Sequence, residues 1–125
     1  MTPDSPSEQP IVLIVDDDML LTDLFRQAMT KQGFHVLEAN DGASALALIE
    51  TQPVNLVLLD MTLPDMAGLQ VAQVLAETHP LLPVVIATGH DPDLHTLPDN
   101  VMELIRKPFS MRTLSARLHA LLPMT

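Results

Sequence analysis

The chain has 125 residues, a formal net charge of −10, no cysteine, 47% hydrophobic residues and only 2% aromatics. That is one domain of ordinary size with enough apolar content for a core. It excludes a disulfide framework and thiol chemistry, and it disfavours a surface that binds phosphate backbones or stacks bases. No apolar run approaches the roughly 18 residues that span a bilayer. The opening MTPDSPSEQP has neither a basic n-region nor an apolar h-region, so no signal peptide and a cytoplasmic location are expected.

Residues 1–10 are polar and rich in Pro and Ser, and read as a flexible tail or linker; the folded domain is expected over 11–122. Ile11–Val15 (IVLIV) is a β-branched run typical of a buried strand. From about Met19 to Gln32, Leu21, Phe25 and Ala28 recur at helical spacing with Leu20 and Leu24 alongside. Asp17 or Asp18 can cap this helix and Gly33 can stop it. His35–Ala39 is a short strand, Asn40-Asp41-Gly42 a turn, and Ala43–Thr51 a helix with Leu46 and Ile49 inward. Val54–Leu59 is a third strand. Gly68 to about Thr78 is a helix with Leu69, Ala72 and Leu75 on its apolar side. Pro83–Ala87 and Met102–Arg106 are the fourth and fifth strands. Ser110 caps a last helix striped by Met111, Leu114, Leu118 and Leu121. Strands alternating with helices predict an α/β fold with a doubly wound, five-stranded parallel sheet, whose ligands sit at the carboxyl ends of the strands.

The residues just past those ends are Asp16, Asp17 and Asp18, then Asp60, then Thr88 and Gly89, then Lys107. Taken singly, each has an ordinary explanation: helix capping, a turn acid, a loop hydroxyl, a surface lysine. Taken together, they are carboxylates crowded into one pocket, which repel unless cations lie between them. Lys107 supplies one charge. A hard divalent ion such as Mg²⁺ suits an oxygen-only ligand set. Metal, ammonium and hydroxyl together make a site for phosphoryl oxygens, and a central carboxylate can be the nucleophile.

VLIVDDD, LVLLDMTLPDMAGL, VVIATGH and IRKPF stand in the order of four motifs that, over residues 11–122, make the chain resemble the receiver domains of bacterial two-component response regulators. The resemblance implies a flavodoxin-like sheet of strand order 2-1-3-4-5. It implies Asp60 as phosphoacceptor, Asp16, Asp17, Asp60 and the Thr62 carbonyl around Mg²⁺, and Thr88 and Lys107 as the hydroxyl and ammonium facing the phosphoryl group. Gly68 would allow a tight backbone at its helix start, and Pro108 would follow a cis peptide bond. The implied function is a signalling phosphoprotein that catalyses its own phosphoryl transfer and hydrolysis rather than an enzyme acting on a separate substrate. Its implied donor is a histidine kinase or histidine phosphotransfer domain. The Met19–Leu20 pair beside the acids is expected to form, with Asp23, Pro108 and Phe109, an exposed docking surface for it, the alternative being that Leu20 packs in the core. No direct nucleic-acid or membrane partner is expected, and the chain is expected to be a monomer or weak dimer.

Two features depart from the family. The switch aromatic three residues before the lysine is Leu104. Only 19 positions separate Thr88 from Lys107, fewer than is usual, and Pro92 and Pro98 fall between them. A shortened helix between the fourth and fifth strands is therefore expected, as in receivers attached to hybrid histidine kinases. His35, His79, His90, His95 and His119 show no metal-ligand spacing, but His90 stands close enough to Thr88 to lie over the site. A haloacid-dehalogenase-type phosphatase would carry an acid at Thr62, and a flavin binder would carry a phosphate loop and aromatics; neither pattern is present.

Overall fold

The structure, a computed structural model, describes residues 9–89, 97–107 and 109–122. The expectations for most of the tail, for a short helix before the fifth strand, for His90 and His95, and for Pro108 lie outside the described residues. Five strands, β1 (Ile11–Val15), β2 (His35–Ala39), β3 (Leu56–Asp60), β4 (Val84–Thr88) and β5 (Val101–Arg106), form one sheet in the order β2-β1-β3-β4-β5. All neighbouring pairs are parallel. The helices among the described residues are α1 (Met19–Lys31), α2 (Gly42–Thr51), α3 (Gly68–Thr78) and α4 (Met111–Leu121).

Because side chains alternate along a strand, the two faces of the sheet divide the core. Leu13, Val15, Val57 and Leu59 meet Ala45 and Ile49 of α2 and Val71, Ala72 and Leu75 of α3. Val12, Ile14, Leu56 and Leu58 meet Phe25 and Met29 of α1 and Leu114 and Leu118 of α4. Strands covered on both sides explain the continuous apolar runs IVLIV and LVLL.

Local chemistry sets the helix ends. Asp18 accepts the Leu21 N–H at 3.2 Å, Asp41 the Ser44 N–H at 2.7 Å and Ser110 the Thr113 N–H at 3.0 Å, each satisfying an otherwise orphaned donor. At the end of α1, Gly33 adopts φ 96°. Its N–H donates to Thr30 O and that of Phe34 to Met29 O, the paired bonds of a Schellman motif. Phe34 and Met29 then share one buried cluster.

Two strands start and end later than expected. Asp60 belongs to β3 because its backbone pairs with Ala87, and Thr88 belongs to β4 because it pairs with Arg106. Pro83, which has no N–H to give, stays outside the strand. The face of α1 is turned relative to expectation: its buried residues are Thr22, Phe25 and Met29 rather than Leu21 and Ala28, Leu24 is 56% exposed, and Leu20, expected at the docking surface, is 81% exposed. Thr22 tolerates burial because its hydroxyl donates to Met19 O at 3.0 Å.

Candidate phosphoryl-transfer site

The carboxyl edge of the sheet gathers most of the expected residues. Asp16 follows β1 and is almost fully buried; Asp60 closes β3 and is half-buried; Asp17 is exposed. One carboxylate oxygen from each of these three lies within 4.8 Å of the others. Lys107, just past β5, spans two of them, with Nζ 3.1 Å from Asp60 Oδ1 and 3.4 Å from Asp16 Oδ2. These residues are 47 and 91 positions from Lys107 in the chain, so only the parallel topology unites them.

Backbone bonds fix the frame. The Asp16 N–H donates to Ala39 O at 3.1 Å, and the Lys107 N–H to Thr88 O at 2.8 Å. The latter ties the lysine's loop to the end of β4, where Thr88 is buried beside the strand that carries Asp60. Thr62, two residues beyond Asp60, is exposed and forms an isolated antiparallel bridge with Ala67 across the loop that leads into α3. That loop returns tightly: Gly68 N–H donates to Met61 O at 2.7 Å, and a Cβ on Gly68 would lie 2.2 Å from Asp60 O. No side chain fits there, so the glycine is required by the close approach of α3 to the carboxylate's own peptide.

The electrostatics follow from burial and crowding. Burial pushes the Asp16 carboxyl above its ordinary range, and the neighbouring Asp60 charge adds to this; the Asp18 N–H and Lys107 pull the other way without cancelling it. Burial alone would lower the Lys107 ammonium, but the hydrogen bond to Asp60 and the charges of Asp16 and Asp60 outweigh it and hold it above its usual value. The pocket therefore carries an excess of negative charge over one fixed cation. Its donors are all oxygens, and their mutual distances suit a single hard divalent ion.

Other residues of this edge gave no signal in the sequence beyond turn formation. The Asn40 side-chain amide donates to Asp16 O at 3.2 Å and so buttresses the buried acid. Asp65 accepts the N–H groups of Gly42 and Ala43 at 2.8 and 2.9 Å. An apolar cleft of about 680 Å³ lies at the opposite, amino end of the strands between Val54, Pro80, Leu81 and Met102, and among the described residues no carboxylate lines it.

Comparison with known proteins shows the family. Residues 12–119 match the family model described as the response regulator receiver domain. The chain is 38% identical over 118 residues to the transcriptional regulatory protein CpxR of Klebsiella pneumoniae, covering 89% of this chain and 48% of that protein. It is 31% identical over 118 residues to the alkaline phosphatase synthesis transcriptional regulatory protein PhoP of Bacillus subtilis, covering 89% of this chain and 48% of that protein. The chain thus spans about half the length of the curated relatives it matches. Among solved structures, the CheY-like receiver domain protein of Methanospirillum hungatei superposes with a TM-score of 0.83 at 29% identity, covering 90% of this chain and 92% of that one. The chemotaxis response regulator CheY4 of Vibrio cholerae, at 22% identity, shares the fold with a TM-score of 0.84, covering 91% and 99%. By motif order, strand order and the match over residues 12–119, the chain belongs to the response regulator receiver domain family, the phosphoacceptor modules of two-component signal transduction.

Proposed function

We propose that Asp60 is the phosphoacceptor, taking a phosphoryl group from the phosphohistidine of a kinase or histidine phosphotransfer domain and holding it as an acyl phosphate. The observation that carries this reading is the geometry of Lys107, whose ammonium bridges Asp60 and Asp16 while Asp17 completes the cluster. An Asp60 oxygen attacks phosphorus in line; the N–P bond breaks, its electron pair stays on the imidazole nitrogen, and an O–P bond forms. Lys107 offsets charge on the phosphoryl oxygens, and the Thr88 hydroxyl hydrogen-bonds to one of them. Hydrolysis removes the load: a water oxygen bonds to phosphorus as the Asp60 O–P bond breaks with its electron pair staying on the carboxylate, and inorganic phosphate leaves, the proton lost by the water going to the phosphate or to solvent.

Asp16, Asp17, Asp60 and the Thr62 carbonyl would hold Mg²⁺, with Asp16 acting mainly through water. The ion supplies charge neutralisation for the phosphoryl oxygens when bound. The negative net charge argues against direct contact with nucleic acid. Among the described residues no helix is long and apolar enough to cross a membrane. The reading makes the module a cytoplasmic monomer or weak dimer.

The test is incubation with acetyl phosphate or phosphoramidate and Mg²⁺, followed by intact-mass spectrometry. Wild type is expected to gain one phosphoryl group and Asp60→Asn none. Equal uptake by the variant would overturn the assignment of Asp60.

A further inference from the structure

The loop between β3 and α3, residues 61–67, carries Thr62 and is closed on itself by two backbone hydrogen bonds. Leu63 N–H donates to Met66 O at 3.3 Å and Gly68 N–H to Met61 O at 2.7 Å, which together make the bridge between Thr62 and Ala67. Met61 N–H also anchors the near half to Ala87 O of β4 at 3.2 Å. The far half is held differently. Both oxygens of Asp65 reach across to α2, accepting from Gly42 N–H and Ala43 N–H, residues 23 and 22 positions earlier. Beside this bond the Met66 side chain lies so close that a Cβ on Gly42 would sit 2.6 Å from its Cγ and Sδ. A carboxylate and a thioether thus clasp the tip of the loop onto the first turn of α2, and Gly42 leaves the space for it.

We infer that Asp65 is a positioning residue for the metal: its clasp on α2 fixes the loop that presents the Thr62 carbonyl. This rests on the Mg²⁺ reading above. α2 does not depend on Asp65 for its cap, because Asp41 already accepts the Ser44 N–H. Nor is Asp65 needed as a charge in the carboxylate cluster, which consists of Asp16, Asp17 and Asp60. The hydrogen bonds from Gly42 and Ala43 hold its carboxyl below the ordinary range, as expected of an anion seated on a helix N-terminus.

The experiment compares Asp65→Ala, Asp65→Asn and Asp41→Ala with wild type. Mg²⁺ affinity is read from NMR shifts of the pocket amides, and exchange of the Leu63 and Gly68 amides is measured without metal. Asp41→Ala removes the same charge from the same helix end but leaves the loop clasped. Asp65→Ala is expected to weaken Mg²⁺ binding by about tenfold, the lower end of what loss of an outer ligand-supporting group costs, and to speed exchange at Leu63 and Gly68. Asp65→Asn, which keeps one acceptor, is expected to fall between, and Asp41→Ala to stay within about twofold of wild type. Unchanged exchange in Asp65→Ala, or equal weakening by Asp65→Ala and Asp41→Ala, overturns the inference whatever the metal does. If faster exchange appears but wild type itself shows no Mg²⁺-dependent shifts, it is the metal reading that fails, and the role assigned to Asp65 falls with it.

Discussion

Lys107 reaches two carboxylates at once, and the consequences differ for the two sides of the pairing. Its raised ammonium contributes stability that is fully present below the usual lysine range and is lost as pH climbs through the elevated value. Asp16 works in the opposite sense. Its carboxyl is raised by burial, so the ionised form costs stability at neutral pH, and that cost is relieved as pH falls through the raised value. Removing the ammonium leaves the Asp16 and Asp60 charges facing each other with no fixed cation between them. Lys107→Met is therefore expected to destabilise the metal-free domain at neutral pH by about 1–2 kcal/mol, allowing for the solvent that reaches this side chain. The loss should shrink on acidification, as Asp16 takes up its proton. Urea unfolding of both proteins from about pH 7 down to about pH 4.5 measures it; a difference that grows towards acid would contradict the pairing described here. The acids and the lysine were legible in the sequence because each follows a strand, and a parallel sheet brings all strand ends to one edge. Asn40 and Asp65 were not, because their roles consist of side-chain bonds to the backbone of other segments, which no spacing along the chain reveals.

At the scale of the element, the junction of β3 with α3 leaves no room for a side chain at Gly68. The strand delivers Asp60, seven residues turn the chain round, and Gly68 returns it against the same peptide with no room for a Cβ. The obstacle is backbone on both sides, Asp60 O and Met61 Cα, so no flexible side chain can swing away. Gly68→Ala should then cost about 2–3 kcal/mol, in the range of overpacking a tight interior, and should slow phosphoryl uptake by shifting the strand end. Thermal unfolding alongside acetyl phosphate kinetics tests both; wild-type stability would mean that α3 can withdraw without strain. Strands were the easiest elements to read, since burial on both faces writes itself as IVLIV, LVLL and VVIA. The face of α1 was not, because MLLTDLF is apolar on most of its circumference and periodicity does not choose among several leucines. What decides is contact with α4, the sheet and the connection between β5 and α4, where Phe25 stacks on Phe109 at a ring distance of 5.5 Å, while Leu20 and Leu24 are left outside. Leu104, where the family has an aromatic, packs half-buried against the α2–α3 side of the core. A shift of this side chain moves less bulk than a ring rotation, so phosphorylation should alter β5 little.

For the molecule as a whole, the exposed apolar residues beside the acids need a purpose. Met19 and Leu20 are 69% and 81% exposed at the start of α1, directly after the Asp16–Asp18 run, and an apolar groove lined by Leu21, Phe109 and Met111 opens next to Lys107. In a chain with net charge −10, exposed apolar side chains at the rim of the proposed transfer site offer a phosphohistidine-bearing helix a place to dock. Transfer requires the histidine nitrogen to come within bonding reach of Asp60 in line, which free diffusion of a large donor does not secure without such a seat. Because Leu20 buries almost nothing, Leu20→Glu should leave stability within about 0.5 kcal/mol of wild type, as for an ordinary surface change. It should also leave uptake from acetyl phosphate unchanged, since that donor needs no docking. Transfer from a phosphorylated kinase should fall by about tenfold or more, through lost apolar contact and through a charge set into the docking surface. Measuring both donors on the same preparation separates the possibilities. A parallel loss with both donors would mean that the substitution disturbs the pocket itself, and undiminished transfer from the kinase would move the docking surface away from α1.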